Sequence, residues 1–204
     1  MTTDESSAAD PRGTVVLMCG PPGAGKTTYA LGLVRRGYVR LSIDEVVWRV
    51  LGGQDAGLAL EPERYDRLKD QVRREQRQEL VELMRAGQNV VMDYSFWSRA
   101  SRDEYKVLAE SHGYRWELIH LKADRATLER RLAVRNRQDG ANAVTVDADL
   151  LNRYLAGFEE PDGEGEQVRI QVQTLDDRAA DDRAADDWAG SARAVHQVES
   201  DVAG

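Results

Sequence analysis

Residues Gly20 to Thr27 read Gly-Pro-Pro-Gly-Ala-Gly-Lys-Thr, a complete G-x-x-x-x-G-K-T loop. Glycines at these spacings let backbone N–H groups wrap a phosphate, and the N-terminus of a following helix adds the positive end of its dipole. The reading assigns Gly20, Pro21, Pro22, Gly23, Ala24, Gly25, Lys26, Thr27 and Thr28 to nucleotide binding. Lys26 would reach the β- and γ-phosphates as a point charge, and the Thr27 hydroxyl would hold Mg²⁺. The loop thus implies a nucleoside triphosphate, with ATP and Mg²⁺ as the expected pair.

Other residues supply the remaining parts of phosphoryl transfer, which needs a nucleophile-orienting group, a metal and cations on the developing charge. Asp93 ends the apolar run Val90-Val91-Met92 and is the second candidate metal ligand beside Thr27. Asp44, after Arg40-Leu41-Ser42-Ile43, is the candidate base that takes a proton from an attacking hydroxyl; Glu45 is its neighbouring alternative. Arg131 and Arg135 lie four apart, one turn up one helix face, and are the candidate catalytic arginines. The small, polar segment 137–143 that follows suits a lid. Arg99 and Arg102 are candidates for binding the acceptor or the nucleotide. Tyr94, Phe96, Trp97 and Trp48 suit either core packing or acceptor stacking. His112 and His120 have no metal-ligand spacing around them and read as structural.

These residues need a scaffold that brings strand ends together. Apolar runs at Thr14–Cys19, Val39–Ser42, Asn89–Asp93, Trp116–Leu121 and Val168–Thr174 read as five strands. Helical patterns alternate with them: the segment after the loop, 43–51, Pro62–Arg85, Ser98–Ser111, Asp124–Arg137, and one from Asp147 or Asp149 to Phe158. Gly52 to Gly57 reads as a flexible break. Alternation of this kind predicts an α/β three-layer sandwich with a five-stranded parallel sheet, and ligands bind beyond the carboxyl ends of its strands. The candidate residues lie at those ends or on the helices that follow.

Charge and composition set further bounds. The chain has 204 residues and a net charge of −8. Residues 176–204 hold eight acidic and three basic side chains, a net −5, which leaves about −3 for the rest. A nearly balanced domain gives no general attraction for a long polynucleotide. Asp-Asp-Arg-Ala-Ala occurs twice in residues 176–185; such a repeat cannot bury a core, so 176–204 reads as a disordered acidic tail. Residues 1–12 read as a disordered leader and 13–175 as the domain. No apolar stretch approaches the ~20 residues of a membrane span. A single cysteine, Cys19, excludes an internal disulfide and fits the cytoplasm.

The loop, Ser42-Ile43-Asp44, Val90-Val91-Met92-Asp93 and Leu128-Glu129-Arg130-Arg131-Leu132-Ala133-Val134-Arg135-Asn136 resemble the small P-loop kinase-type ATPases. That group includes chloramphenicol phosphotransferase, the zeta toxins and the polynucleotide 5′-kinase domain. The resemblance spans roughly 13–175, and Asp93 to Arg99 with Phe158 to Pro161 look like a bacterial branch of the group. It implies a nucleoside-kinase-like fold with a helical lid, ATP as donor, Asp44 as base and a lid arginine from Arg131 or Arg135. The acceptor it implies is a hydroxyl on a small molecule such as an antibiotic, nucleoside or sugar nucleotide. A polynucleotide 5′-hydroxyl is the less favoured alternative, because polynucleotide kinases place an arginine close behind the aspartate and here the next is Arg49. A nucleotide-dependent switch of the toxin–antitoxin type, with little turnover, is the alternative from another class. No Asn-Lys-x-Asp motif marks a GTPase, and Tyr94 stands where oligomeric motor ATPases carry glutamate.

Overall fold

Strand β1, Thr14–Cys19, is buried along its whole length. Its side chains alternate between two cores, with Val15, Leu17 and Cys19 facing one and Val16 and Met18 the other. A strand apolar on both faces must be covered on both faces, and this dictates the layering. The computed structural model describes residues 10–137 and 145–170.

The described chain runs α1 (Lys26–Val34), β2 (Val39–Leu41), α2 (Ile43–Val50), α3 (Ala56–Ala59), α4 (Pro62–Arg85) and β3 (Val90–Met92). It continues through α5 (Arg99–Ser111), β4 (Arg115–Lys122), α6 (Arg125–Arg135), α7 (Ala148–Gly157) and β5 (Glu166–Ile170). The strands form one sheet in the order β2-β3-β1-β4-β5, every pairing parallel. Leu80 and Met84 of α4 and Tyr105, Leu108 and Ala109 of α5 seal one face. Ala30 and Leu33 of α1, Leu128 and Leu132 of α6 and Leu151 of α7 seal the other. Each such leucine or methionine contributes roughly 1.5–3 kcal/mol by leaving water. This is the three-layer α/β sandwich with five parallel strands that the alternating pattern predicts.

Most boundaries follow local chemistry. Ser42 rather than Asp44 caps α2, its Oγ accepting from the Glu45 amide at 3.4 Å. Pro62 opens α4, where a missing N–H costs nothing. Asp124 caps α6 by accepting from the Thr127 amide at 2.8 Å, and Asp147 caps α7 by accepting from Leu150 at 2.7 Å. Helix α6 ends at Arg135, two residues before the expected end. The Asn136 side chain there turns to the incoming strand of chain, donating to the Val146 carbonyl at 2.8 Å.

Two further segments depart from the sequence expectation. The break expected at 52–57 contains the start of α3, because Asp55 caps Gly57 at 2.7 Å and Ala56 is buried against Val47 and Val72. Strand β5 begins at Glu166, two residues early; its expected continuation to Thr174 passes outside the described residues. The first nine residues, most of the 137–143 lid segment and the acidic tail also lie outside them. At the end of the expected leader, the Arg12 amide donates to the Gly113 carbonyl at 2.9 Å. Among the described residues no helix is long and apolar enough to cross a membrane.

Candidate active site

The loop leaves β1 through Gly20, which sits at φ +141 with the Leu121 carbonyl 2.4 Å from where a Cβ would be. Only glycine fits so close an approach. Gly25, at φ +92, then turns the chain into α1 without any side-chain cap. No acidic residue occupies the first turn of α1, whereas α2, α5, α6 and α7 each carry a side-chain cap. A helix start that follows a glycine loop and carries no side-chain cap leaves its amides able to take an anion.

Lys26 spans this loop. Its Nζ donates to the carbonyls of Gly20 and Pro21, both at 2.9 Å. Burial pulls its pKa down to about 8, opposed by the negative charges of Asp93 and Asp44. The ammonium therefore rests on neutral carbonyls where a phosphate would be the better partner. Thr27 and Thr28, next along, are exposed at the helix start.

Asp44 sits in the first turn of α2, beyond the end of β2. The residue is exposed at the surface of this end of the sheet. Desolvation and then the neighbouring Asp93 charge raise its carboxyl above the ordinary aspartate range, while Lys26, Arg135 and Lys69 pull it back. Arg135 completes the set: burial lowers its guanidinium, Asp44 and Tyr154 counteract, and its buried Nε has no hydrogen-bond partner among the described residues. Lys26, Asp44, Asp93 and Arg135 are thus brought into one electrostatic group. Arg131 points elsewhere, toward the loop itself, with Nη1 3.4 Å from the Gly23 carbonyl.

Asp93, the second candidate metal ligand, is ion-paired within the protein. Arg40 donates from Nε to Oδ2 at 2.9 Å, its Nη2 lies 2.8 Å from the same oxygen, and its Nη1 pairs with Glu45. Arg40 was not a candidate in the sequence, although an arginine inside a short buried strand needs a carboxylate partner. Its two ion pairs tie the end of β3 to the first turn of α2.

The aromatic segment after Asp93 divides by role. Tyr94 and Phe96 are core residues, packed with Tyr105 at centroid distances of 6.2 and 5.2 Å. The Tyr94 hydroxyl donates to Gln76 at 2.7 Å, and Gln76 donates to the Ser42 carbonyl at 3.2 Å, buttressing the start of α2. Phe96 adopts φ +41, strained for a non-glycine residue. Its carbonyl accepts from Arg102 Nη1 at 2.9 Å, and the Cys19 thiol lies 3.5 Å away. Trp97 alone is half-buried on the site side, 4.8 Å from the Tyr154 ring.

Two of the arginine candidates lie off the site. Arg102 is fully buried and bidentate to Glu164 at 2.8 and 2.6 Å, so it holds a loop rather than a ligand. Arg99 is exposed, with Nε 3.6 Å from Asp103. His120 is buried against Phe158, as expected of a structural histidine, and Cys19 is buried with its thiol raised to about 11 by desolvation.

The donor set fits a magnesium ion that arrives with its nucleotide. Among the described residues no three His, Cys, Asp or Glu side chains converge as a self-sufficient metal site. One hydroxyl and one carboxylate, Thr27 and Asp93, suit Mg²⁺, which keeps waters and takes phosphate oxygens. Both Arg40 contacts fall on Oδ2 of Asp93, leaving Oδ1 for that use.

Comparisons with known proteins agree with this architecture. A candidate kinase from Chloroflexus aurantiacus J-10-fl superposes with a TM-score of 0.62 at 19% identity, over 81% of this chain and 91% of that one. A sugar kinase from Janibacter sp. HTCC2649 gives 0.54 at 20% identity, over 85% and 92%. A gluconokinase from Sinorhizobium meliloti 1021 gives 0.53 at 20% identity, over 89% and 98%. At these identities the likeness establishes the fold. No curated protein matches the chain in sequence. The family model described as an AAA domain matches residues 15–161, most of the chain and every site element above. The protein belongs to this AAA domain family and carries the small P-loop kinase-type fold.

Proposed function

We propose that the protein is an ATP- and Mg²⁺-dependent phosphotransferase that moves the γ-phosphoryl group of ATP to a hydroxyl of a small molecule. The observation that carries this reading is the placement of the Asp44 carboxylate in the joint field of Lys26 and Arg135, at the end of β2.

In this reading the loop amides and the start of α1 hold the β- and γ-phosphates. Lys26 exchanges the Gly20 and Pro21 carbonyls for phosphate oxygens. Asp44 accepts the proton of the acceptor hydroxyl as that oxygen bonds to the γ-phosphorus and the bond from phosphorus to the β,γ-bridging oxygen breaks. ADP leaves with the electron pair. A raised carboxyl pKa makes Asp44 a better base, and the nearby cations keep it ionised. Arg135 and Arg131 stabilise charge on the transferring group. Mg²⁺, held by Thr27 and Asp93, would neutralise and orient the phosphates. The lone buried Cys19 supports a cytoplasmic site of action. We read 13–175 as the catalytic unit, with 1–12 and 176–204 as appendages.

The test is acceptor-stimulated ADP release across antibiotics, nucleosides, sugars, sugar nucleotides and oligonucleotides. Asp44→Asn is expected to lower transfer roughly 10²–10⁴-fold while nucleotide binding persists, and Lys26→Ala to abolish binding. Full transfer by Asp44→Asn would remove Asp44 from the base role. Tight ATP binding with no acceptor-stimulated turnover would favour a nucleotide-dependent switch.

A further inference from the structure

Arg40 is the middle residue of the short strand β2 and stands in register with Val91 of β3. Val91 packs with Ala30 and Leu33 of α1. Side chains two apart along a strand share a face, so Asp93 lies on the α1 side of the sheet, diagonally across from Arg40. The Asp93 amide donates to the Leu41 carbonyl at 2.8 Å, which fixes its main chain to β2 as well. Two residues on, the Ser95 carbonyl accepts from the Gly20 amide at 3.4 Å, so this segment meets the start of the phosphate loop.

The way Arg40 grips Asp93 is selective. Arg102, the structural arginine of this fold, takes both carboxylate oxygens of Glu164. Arg40 places Nε and Nη2 at 2.9 and 2.8 Å from one oxygen of Asp93, Oδ2, and leaves the other out of the pairing. The far end of the same guanidinium is held too. Its Nη1 pairs with Oε2 of Glu45 in the first turn of α2, and Glu45 Oε1 lies 3.9 Å from Arg49. Glu45, the alternative candidate base, is therefore committed as a brace. A planar fork held at both ends is fixed before any ligand arrives, and a lysine would keep the charge without the fork.

Resting on the phosphotransferase reading, we propose that Arg40 is a positioning residue for the nucleotide's metal. It holds Asp93 by Oδ2 alone so that Oδ1 is left for Mg²⁺, and Glu45 braces the guanidinium from the side of α2. Partners that orient a metal-binding carboxylate typically carry roughly 10–100-fold of the metal affinity.

The experiment measures Mn²⁺ binding to the full chain with AMPPNP by electron paramagnetic resonance, Mn²⁺ taking the same hard oxygen ligands as Mg²⁺. Arg40→Lys keeps the positive charge and removes the fork. It is expected to raise the Mn²⁺ dissociation constant roughly tenfold, with AMPPNP affinity in EDTA unchanged. Asp93→Asn is expected to raise it at least as much. Adding Arg40→Lys to Asp93→Asn should change nothing further, because Arg40 acts through that carboxylate. Glu45→Gln, at a side chain 31% exposed, is expected to raise the constant roughly threefold. It decides the matter if thermal melts show that Arg40→Lys does not fold. Unchanged Mn²⁺ affinity in the folded variants, or a loss that adds in full to that of Asp93→Asn, overturns the assignment. Acceptor-stimulated ADP release in Mg²⁺ separates this inference from the reading it rests on. A wild-type protein without such release but with the expected Mn²⁺ pattern overturns the phosphotransferase reading alone. Wild-type transfer with Mn²⁺ affinity indifferent to Arg40 overturns the positioning role alone.

Discussion

Two clusters in this molecule have nearly the same ingredients, a carboxylate with an arginine and a lysine, and opposite character. Around Glu164, Arg102 makes a bidentate pair at 2.8 and 2.6 Å, and Lys106 adds a contact at 3.3 Å. The side chains of Arg102 and Glu164 are sealed from solvent, at 0% and 2% exposure. Around Asp44, Lys26 donates to neutral loop carbonyls, and the buried Arg135 Nε has no hydrogen-bond partner among the described residues. The first cluster has completed its pairing within the protein. The second is held apart, so its charges perturb one another without cancelling. Pairing, more than charge content, separates a structural ion cluster from a site prepared for a ligand.

Breaking the sealed cluster is expected to have the largest effect on stability. Arg102→Met leaves Glu164 buried without its main partner and should cost about 3–5 kcal/mol, measured by denaturant unfolding. Asp44→Asn, which removes a charge from the open cluster, should leave the midpoint nearly unchanged. Equal losses in both would dissolve the distinction.

The next effect is on pH. Hydrogen bonds from Arg102 hold the Glu164 carboxyl down to about 2, against 4.5 for an ordinary glutamate. A depressed folded-state value gives stability that is fully present above about pH 4.5 and is lost as pH falls toward 2. The amount is roughly 3 kcal/mol. Glu164→Gln should flatten that acid limb in thermal unfolding scans at pH 2–5. An unchanged limb would place the acid sensitivity elsewhere.

The smallest effect probes the link between a structural network and the open site. Tyr94→Phe strips the Tyr94–Gln76–Ser42 chain of its first hydrogen bond. About 1–2 kcal/mol of stability should go, with a lower kcat and an unchanged ATP dissociation constant. A shift in ATP affinity instead would mean that Gln76 supports the loop rather than the start of α2.

Much of this organisation was legible in the chain. Strand–helix alternation gave the layers because a parallel sheet buried on both faces requires apolar runs with helices between them. The loop was legible because its backbone demands glycine at fixed places, as Gly20 shows against the Leu121 carbonyl. Arginines were the least legible. Arg102 and Arg135 both lie on helices, and the local sequence does not show which of them pairs with Glu164, 62 residues from Arg102. Arg40 was invisible for the same reason, since its partner Asp93 is 53 residues off.

Local sequence, then, determined the elements, their caps and the phosphate loop, because these depend on backbone conformation and short-range hydrogen bonds. It also named Lys26 from the loop motif, and Asp44 and Asp93 from their positions after strand ends. Only the tertiary structure decided which charges meet. It paired Arg102 with Glu164 and Arg40 with Asp93, and left the Arg135 Nε without a hydrogen-bond partner among the described residues. Coulomb and hydrogen-bond energies depend on distance in space, and the chain alone does not reveal which long side chains end within a few ångströms of one another.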